Sequence, residues 1–174
     1  PFNEKDFTVQ FWINCKLHKG VVFSQYEKNA KNLSLHFRLG DKGKVDLGFY
    51  SNDLATKDGV VTSGAWHNLT FVMDVSNKTR KTYVNGEEKA SDKPATLYAA
   101  KTGDTIIGGW NRVDKGVKKA YQKYIGKVDE VRVWSRVLSQ DEITASIGKA
   151  SLGTSTPVDS AGKITAIWGM LKSD

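Results

Sequence analysis

The sequence predicts an all-β fold, a two-sheet antiparallel jelly-roll sandwich with one short helix near residues 139–147. Three observations carry this reading. Apolar residues recur at every second position in segment after segment, short turns rich in Gly, Asn and Asp separate the segments, and only one stretch has helical spacing. Strands do not alternate with long helices, so a parallel α/β sheet is excluded.

The first segment, FTVQFWIN, puts Phe7, Val9, Phe11 and Ile13 on one face, with Thr8, Gln10, Trp12 and Asn14 on the other. VVFSQ, LSLHFRL and VDLGFY follow, and the second of these groups Leu33, Leu35, Phe37 and Leu39. Asp41-Lys-Gly43 is a turn between two of them, with Gly at positive φ. HNLTFVMDV and KTYVNG are joined by the polar connector DVSNKTR, and Asn85-Gly86 suits a type I′ hairpin turn because both residues tolerate the left-handed conformation. DTIIGGW, YIGKVDEVRVW and KITAIWGML complete the strands. The helix is LSQDEITASI. Ser139 and Glu142 form a capping box, Ile143 and Ile147 share a face, and Gly148 stops it. Residues 149–161 are small and polar and read as a loop.

A chain of 174 residues suits one domain, here expected to span 1–174. Its 18 aromatic side chains (five Trp, six Tyr, seven Phe) are enough to fill the space between two sheets. Cys15 is the sole cysteine, which excludes an intrachain disulfide and suits a buried structural thiol. No apolar run approaches the roughly 20 residues of a membrane-spanning helix. The chain opens at Pro1 without Met, as expected of a mature protein or a domain taken from a longer one.

The net charge of +7 is unevenly spread. Between Lys101 and Arg136 nine Lys or Arg face four acids, which favours anionic partners such as acidic glycans, phosphate groups or nucleic acid.

The order FTVQFWIN, VVFSQ, AWHNLTFVMD, TYVNGEEK, TIIGGW, YIGKVDEVRVWSRVLSQDEI resembles laminin-G-like and pentraxin-like domains, members of the concanavalin A-like lectin and glucanase superfamily. A Trp-His pair opening a strand, a Y-V-N-G turn and a G-x-x-D-E-V-R-V-W segment before a short helix carry the resemblance, which runs from about Phe7 to Leu171. Trp66, Phe71, Val84, Trp134 and Trp168 are expected to fill the core or its ends. Asp129 and Glu130, as strand neighbours, point to opposite faces, and one of them could ligate a metal or pair with Arg132 or Arg136, a structural ion pair being the favoured role.

The superfamily divides by function. Its glucanases carry carboxylates at alternating positions of one strand, where they act as acid and nucleophile. This sequence has no E-x-D-x-x-E or E-x-D-x-E spacing, and His18, His36 and His67 lack a Ser or Cys partner in any recognisable motif, so they read as structural or surface residues. No enzymatic activity is expected. The pentraxin resemblance implies a calcium site, and its ligand positions fall on Lys31, Asn32, Trp110, Asn111, Arg112 and Gln122. Lys31 and Arg112 put positive charge where calcium needs carboxylates, so no cofactor is expected and the calcium site reads as lost.

The same loops suggest a ligand site made of Trp110, Arg112, Asn111, Asn32, Lys31, Tyr26, Tyr121 and Gln122, bordered by Lys118, Lys119 and Lys123. An aromatic ring suits the apolar face of a sugar, and amides and guanidinium bond its hydroxyls or carboxylates. The expected function is lectin-like binding of a neutral or acidic glycan or glycoprotein. The alternative is an adhesion or assembly module for another protein, and charge-driven binding of nucleic acid or heparin is a third reading. The Asn-x-Ser/Thr triplets at Asn32, Asn68 and Asn77 fit an extracellular or cell-surface location.

Overall fold

The computed structural model describes residues 2–114 and 117–148, with the backbone alone for 111–121. The expected loop at 149–161, the last expected strand KITAIWGML and Trp168 lie outside these residues. The strands are β1 (Phe7–Cys15), β2 (Gly20–Tyr26), β3 (Ser34–Leu39), β4 (Val45–Gly48), β5 (Asp53–Ala55), β6 (Trp66–Asp74), β7 (Thr79–Val84), β8 (Glu87–Asp92), β9 (Asp104–Ile107), β10 (Trp110–Asp114), β11 (Val117–Tyr121) and β12 (Gly126–Trp134), followed by α1 (Gln140–Gly148). Among the described residues the first sheet runs β12-β1-β6-β7-β8 and the second β5-β4-β3-β2-β9, all neighbours antiparallel. The remaining pair, β10-β11, is a separate hairpin.

The inward faces are those expected from the period-two pattern. Phe7, Val9, Phe11 and Ile13 of β1 are buried with Leu69, Phe71 and Met73 of β6, against Leu35, Phe37, Leu39, Val45 and Leu47 of the second sheet. The sheets meet where Phe37 stacks on Phe71, centroids 4.2 Å apart and planes within 9°. Phe11 and Phe23 pack around Phe37 at 6.3 and 5.4 Å. Trp66 differs from expectation, being 39% exposed. It shares the outward parity of Asn68 and Thr70, whereas Leu69 and Phe71 take the inward one.

The turns follow their residue chemistry. Asn85 and Gly86 both take positive φ, 52° and 83°, as a type I′ turn requires. Asp41–Gly43 is a 3-10 turn whose Gly43 has φ 74°; a Cβ there would meet the Val61 carbonyl oxygen at 2.1 Å. DTIIGGW, read as one strand, divides at Gly108 (φ 85°), and the chain from Trp110 leaves the second sheet to form β10. Glu130 bonds Arg132 as one of the expected ion pairs.

The outer face of the first sheet is polar and buried, because α1 lies over it. Gln10 donates to Ser146 Oγ at 2.8 Å, Thr8 Oγ1 accepts from Leu138 N, and Ile143 packs with Val72, Tyr83 and Leu138. The capping box forms as its residues predict: Ser139 N donates to Glu142 Oε2 and Glu142 N donates to Ser139 Oγ. Arg136 adds two bonds to the Glu142 carboxylate.

Phe37→Ala is expected to destabilise the domain by about 3–5 kcal/mol in denaturant unfolding, since it removes the ring on which both sheets close. Arg136 and the Ser139 amide hold the Glu142 carboxyl down to about 2 from its ordinary 4.5. A pKa lowered by folding gives stability present in full above about 4.5 and lost as pH falls towards about 2. The stability difference between the wild type and Glu142→Gln, measured by urea titration, should therefore shrink over that window.

Candidate functional site

The outer face of the second sheet is built from the polar half of the same alternation. Ser34, His36 and Arg38 of β3 alternate with the core residues Leu35, Phe37 and Leu39. The antiparallel register sets Arg38 beside Asp46, and His36 beside Gly48, which faces Asp53 of β5. Arg38 donates from Nε and Nη2 to Asp46 Oδ2, at 2.9 and 2.6 Å. His36 Nδ1 lies 3.3 Å from the Ser34 carbonyl oxygen, and its Nε2 is 3.8 Å from Asp53 Oδ2, beyond hydrogen-bond length. Burial pushes the Asp53 carboxyl up, His36 and Arg38 pull it down, and the balance leaves it below its ordinary value.

Gly48 is what lets the imidazole lie so close to β4. A Cβ there would sit 2.1 Å from His36 Nε2 and 2.6 Å from Asp53 Oδ1. Over His36 lies the indole of Trp110, parallel within 16° at 5.1 Å. Tyr26 and Tyr50 meet the same indole edge-on, at 5.9 and 6.2 Å. Hairpin β10–β11 is docked beside β2 by Ser24 Oγ donating to the Gly109 carbonyl and Val21 N to that of Gln122. The result is a polar strip walled at one end by three aromatic rings. Arg38 and Asp53 remain partly open, with side-chain exposures of 30% and 32%. Ser34 Oγ, His36 Nε2, Asp46 Oδ1 and Trp110 Nε1 are buried without a hydrogen-bond partner among the described residues.

Of the residues expected at the site, Trp110 and Tyr26 come together, and β10 and β11 pair Trp110 with Tyr121. Trp110 is only 5% exposed, so it is a wedge between hairpin and sheet and not the open platform expected. The stacked His36 ring occupies one of its faces. Asn32 is a structural staple: its Nδ2 donates to Thr96 and its Oδ1 accepts from Asn52. Lys31 is exposed on the same loop, and Gln122 closes the far end of the hairpin against β2. The side chains of Asn111, Arg112, Lys118, Lys119 and Tyr121 lie outside the described residues.

Sequence reasoning missed His36, Arg38, Asp46, Tyr50 and Asp53. The signal was present, since every outward position of LSLHFRL bears a polar side chain. Arg80 was also missed. Buried in the first sheet, it binds Asp92 and reaches across to the Asn52 carbonyl at 2.7 Å, with its guanidinium 5.0 Å above the Phe49 ring. This bridge fixes the turn that presents Tyr50 and Asp53.

A family profile described as the concanavalin A-like lectin/glucanases superfamily matches residues 1–144. The chain belongs to this superfamily. It is 31% identical over 125 residues to the human adhesion G-protein coupled receptor D1, across 67% of this chain and 14% of the receptor. It is 26% identical over 162 residues to the Mus musculus pentraxin-related protein PTX3, across 87% of this chain and 41% of that protein. The chain thus spans less than half the length of either relative. Among solved structures, the Ruminococcus gnavus IT-sialidase CBM40 bound to alpha2,3 sialyllactose superposes with a TM-score of 0.68 at 18% identity, covering 83% of each chain. The jelly-roll sandwich expected from the sequence is therefore the observed fold.

Gly48→Ala is expected to displace His36 and loosen the Trp110 stack, costing about 1–3 kcal/mol. Tryptophan emission should shift to the red, because Trp110 gains solvent.

Proposed function

We propose that this superfamily member is a non-catalytic, lectin-like domain that binds a neutral or acidic glycan on the outer face of the second sheet. The observation that carries the proposal is the half-open pair Arg38 and Asp53 on either side of His36, whose ring stacks on Trp110 with Tyr26 and Tyr50 against the indole. Tyr50 supplies an apolar surface for a sugar ring, Asp53 accepts from hydroxyls, and Arg38 draws a sugar carboxylate. A sugar that reaches the buried Asp46 and Ser34 oxygens relieves groups that are otherwise costly to leave unpaired. The likeness to a sialyllactose-bound carbohydrate-binding module supports the reading and makes alpha2,3 sialyllactose the first probe.

Calcium has no part in this proposal. Where the pentraxin resemblance implies its ligands, Lys31 brings a positive charge and Asn32 Oδ1 is taken up by Asn52. An extracellular or cell-surface location accords with the relatives named above and with a glycan or glycoprotein partner. No helix among the described residues is long and apolar enough to cross a membrane. The second reading, an adhesion or assembly module for another protein, draws on the similarity to the adhesion receptor.

A glycan array followed by calorimetry tests the proposal. Asp53→Asn and Arg38→Gln should each weaken the best ligand by about tenfold or more, the worth of one charge-assisted hydrogen bond, with chelator leaving wild-type binding unchanged. Failure of every glycan to bind, together with capture of a protein partner, would favour the adhesion module.

A further inference from the structure

The two ends of the sandwich differ sharply in charge. At one end lie the β1–β2 turn, the 3-10 turn, the approach to β6 and the connection into β12, covering residues 14–20, 41–44, 57–67 and 122–127. These segments hold seven lysines (Lys16, Lys19, Lys42, Lys44, Lys57, Lys123 and Lys127) against Asp41 and Asp58. Asp58 is itself 3.7 Å from Lys42, and the neighbouring hairpin turn adds the mutually neutralising pair Glu87–Lys89. At the other end, residues 27–33, 49–53, 74–79 and 92–104 hold five lysines and five acids.

The basic end also carries three of the largest exposed apolar side chains. Leu17 is 52% exposed, Ile125 47% and Trp66 39%. They belong to segments tied directly to one another. Lys16 N donates to the Ile125 carbonyl, Gly64 N to that of Cys15, and Ser63 Oγ to that of Lys16. Asn14 stands between Trp66 and Lys127 in the strand register. Leu17 is therefore flanked by Lys16 and Lys19 at a turn tip, and Ile125 by Lys123 and Lys127 at the tip alongside.

Lysines around exposed Leu, Ile and Trp suit an interface with an apolar interior below an anionic layer. The apolar tips enter the acyl boundary, the lysine stems lie along it, and the ammonium groups stay with the phosphates. A soluble polyanion would engage the lysines and leave Leu17 and Ile125 in water. We propose that this end of the sandwich is a peripheral docking surface for an anionic lipid membrane, adjoining the proposed glycan face at Lys123.

Co-sedimentation with phosphatidylcholine vesicles, with and without phosphatidylglycerol, tests it. The wild type should bind the anionic vesicles and leave the neutral ones in solution. Leu17→Ser/Ile125→Ser, which keeps the charge, and Lys16→Gln/Lys123→Gln should each lose about tenfold or more in affinity. Lys28→Gln/Lys31→Gln at the opposite end should match the wild type, and thermal melts confirm that each variant is folded. Vesicle binding unchanged in Leu17→Ser/Ile125→Ser would overturn the proposal. So would tighter binding to heparin or duplex DNA than to the vesicles, or no vesicle binding by the folded wild type.

Discussion

The contact on which the structure turns is the stack of Phe37 on Phe71, one ring from each sheet. For it to form, β3 and β6 must both give their odd-numbered residues to the interior, which sends the even-numbered residues outwards. Ser34, His36 and Arg38 are thereby placed on one outer face, and Asn68, Thr70 and Val72 on the other. Neither outer face is left fully to solvent. The Asn68 face is covered by α1 and the segment before it through Gln10, Thr8 and Ile143, the His36 face by the β10–β11 hairpin through Trp110. Burying polar side chains under a second layer demands partners for them, and the two coverings meet that demand differently. The helix side bonds Gln10 and Thr8 but leaves Asn68 Nδ2 and Trp12 Nε1 without a partner among the described residues, whereas the indole supplies a stacking surface and leaves Ser34 Oγ, His36 Nε2 and Asp46 Oδ1 so.

What the sequence made legible was parity, the turns and the capping box. Each depends on a few neighbouring residues, so Asn85-Gly86 and Ser139…Glu142 formed the bonds and angles their chemistry requires. Trp66 shows what happens when size is preferred to parity, since a large ring suggested core while its even-numbered position pointed outwards. The candidate site was less legible, because it depends on which hairpin covers which sheet. Reading DTIIGGW as one strand hid the break at Gly108 that turns Trp110 over His36. A lone strand histidine gave no hint that Gly48, twelve residues later, would make room for it. Arg80 and Asn32 carry their roles through contacts 12 to 64 residues away in the chain, which no local pattern records.

The charge distribution has the same lesson in it. Along the chain, the basic stretch was 101–136; in space, among the described residues, a basic end draws on four separate segments, two of them before residue 45. Lys123 of that end lies beside Val21, whose other neighbour is Arg38, so the domain presents two chemically different faces that meet at one edge. One is balanced, aromatic-walled and suited to directional hydrogen bonds; the other is cationic and apolar-tipped. A module with both can hold a glycan while resting on a larger surface.

The central claim is the location of the glycan face, and amide chemical-shift mapping of the labelled domain with its tightest-binding oligosaccharide tests it most directly. The account predicts the largest perturbations at Tyr26, His36, Arg38, Tyr50 and Asp53, with the Trp110 indole shifting alongside. Perturbations centred instead on the loops around Leu17 and Ile125, or on the helix-covered face around Gln10 and Thr70, would contradict it.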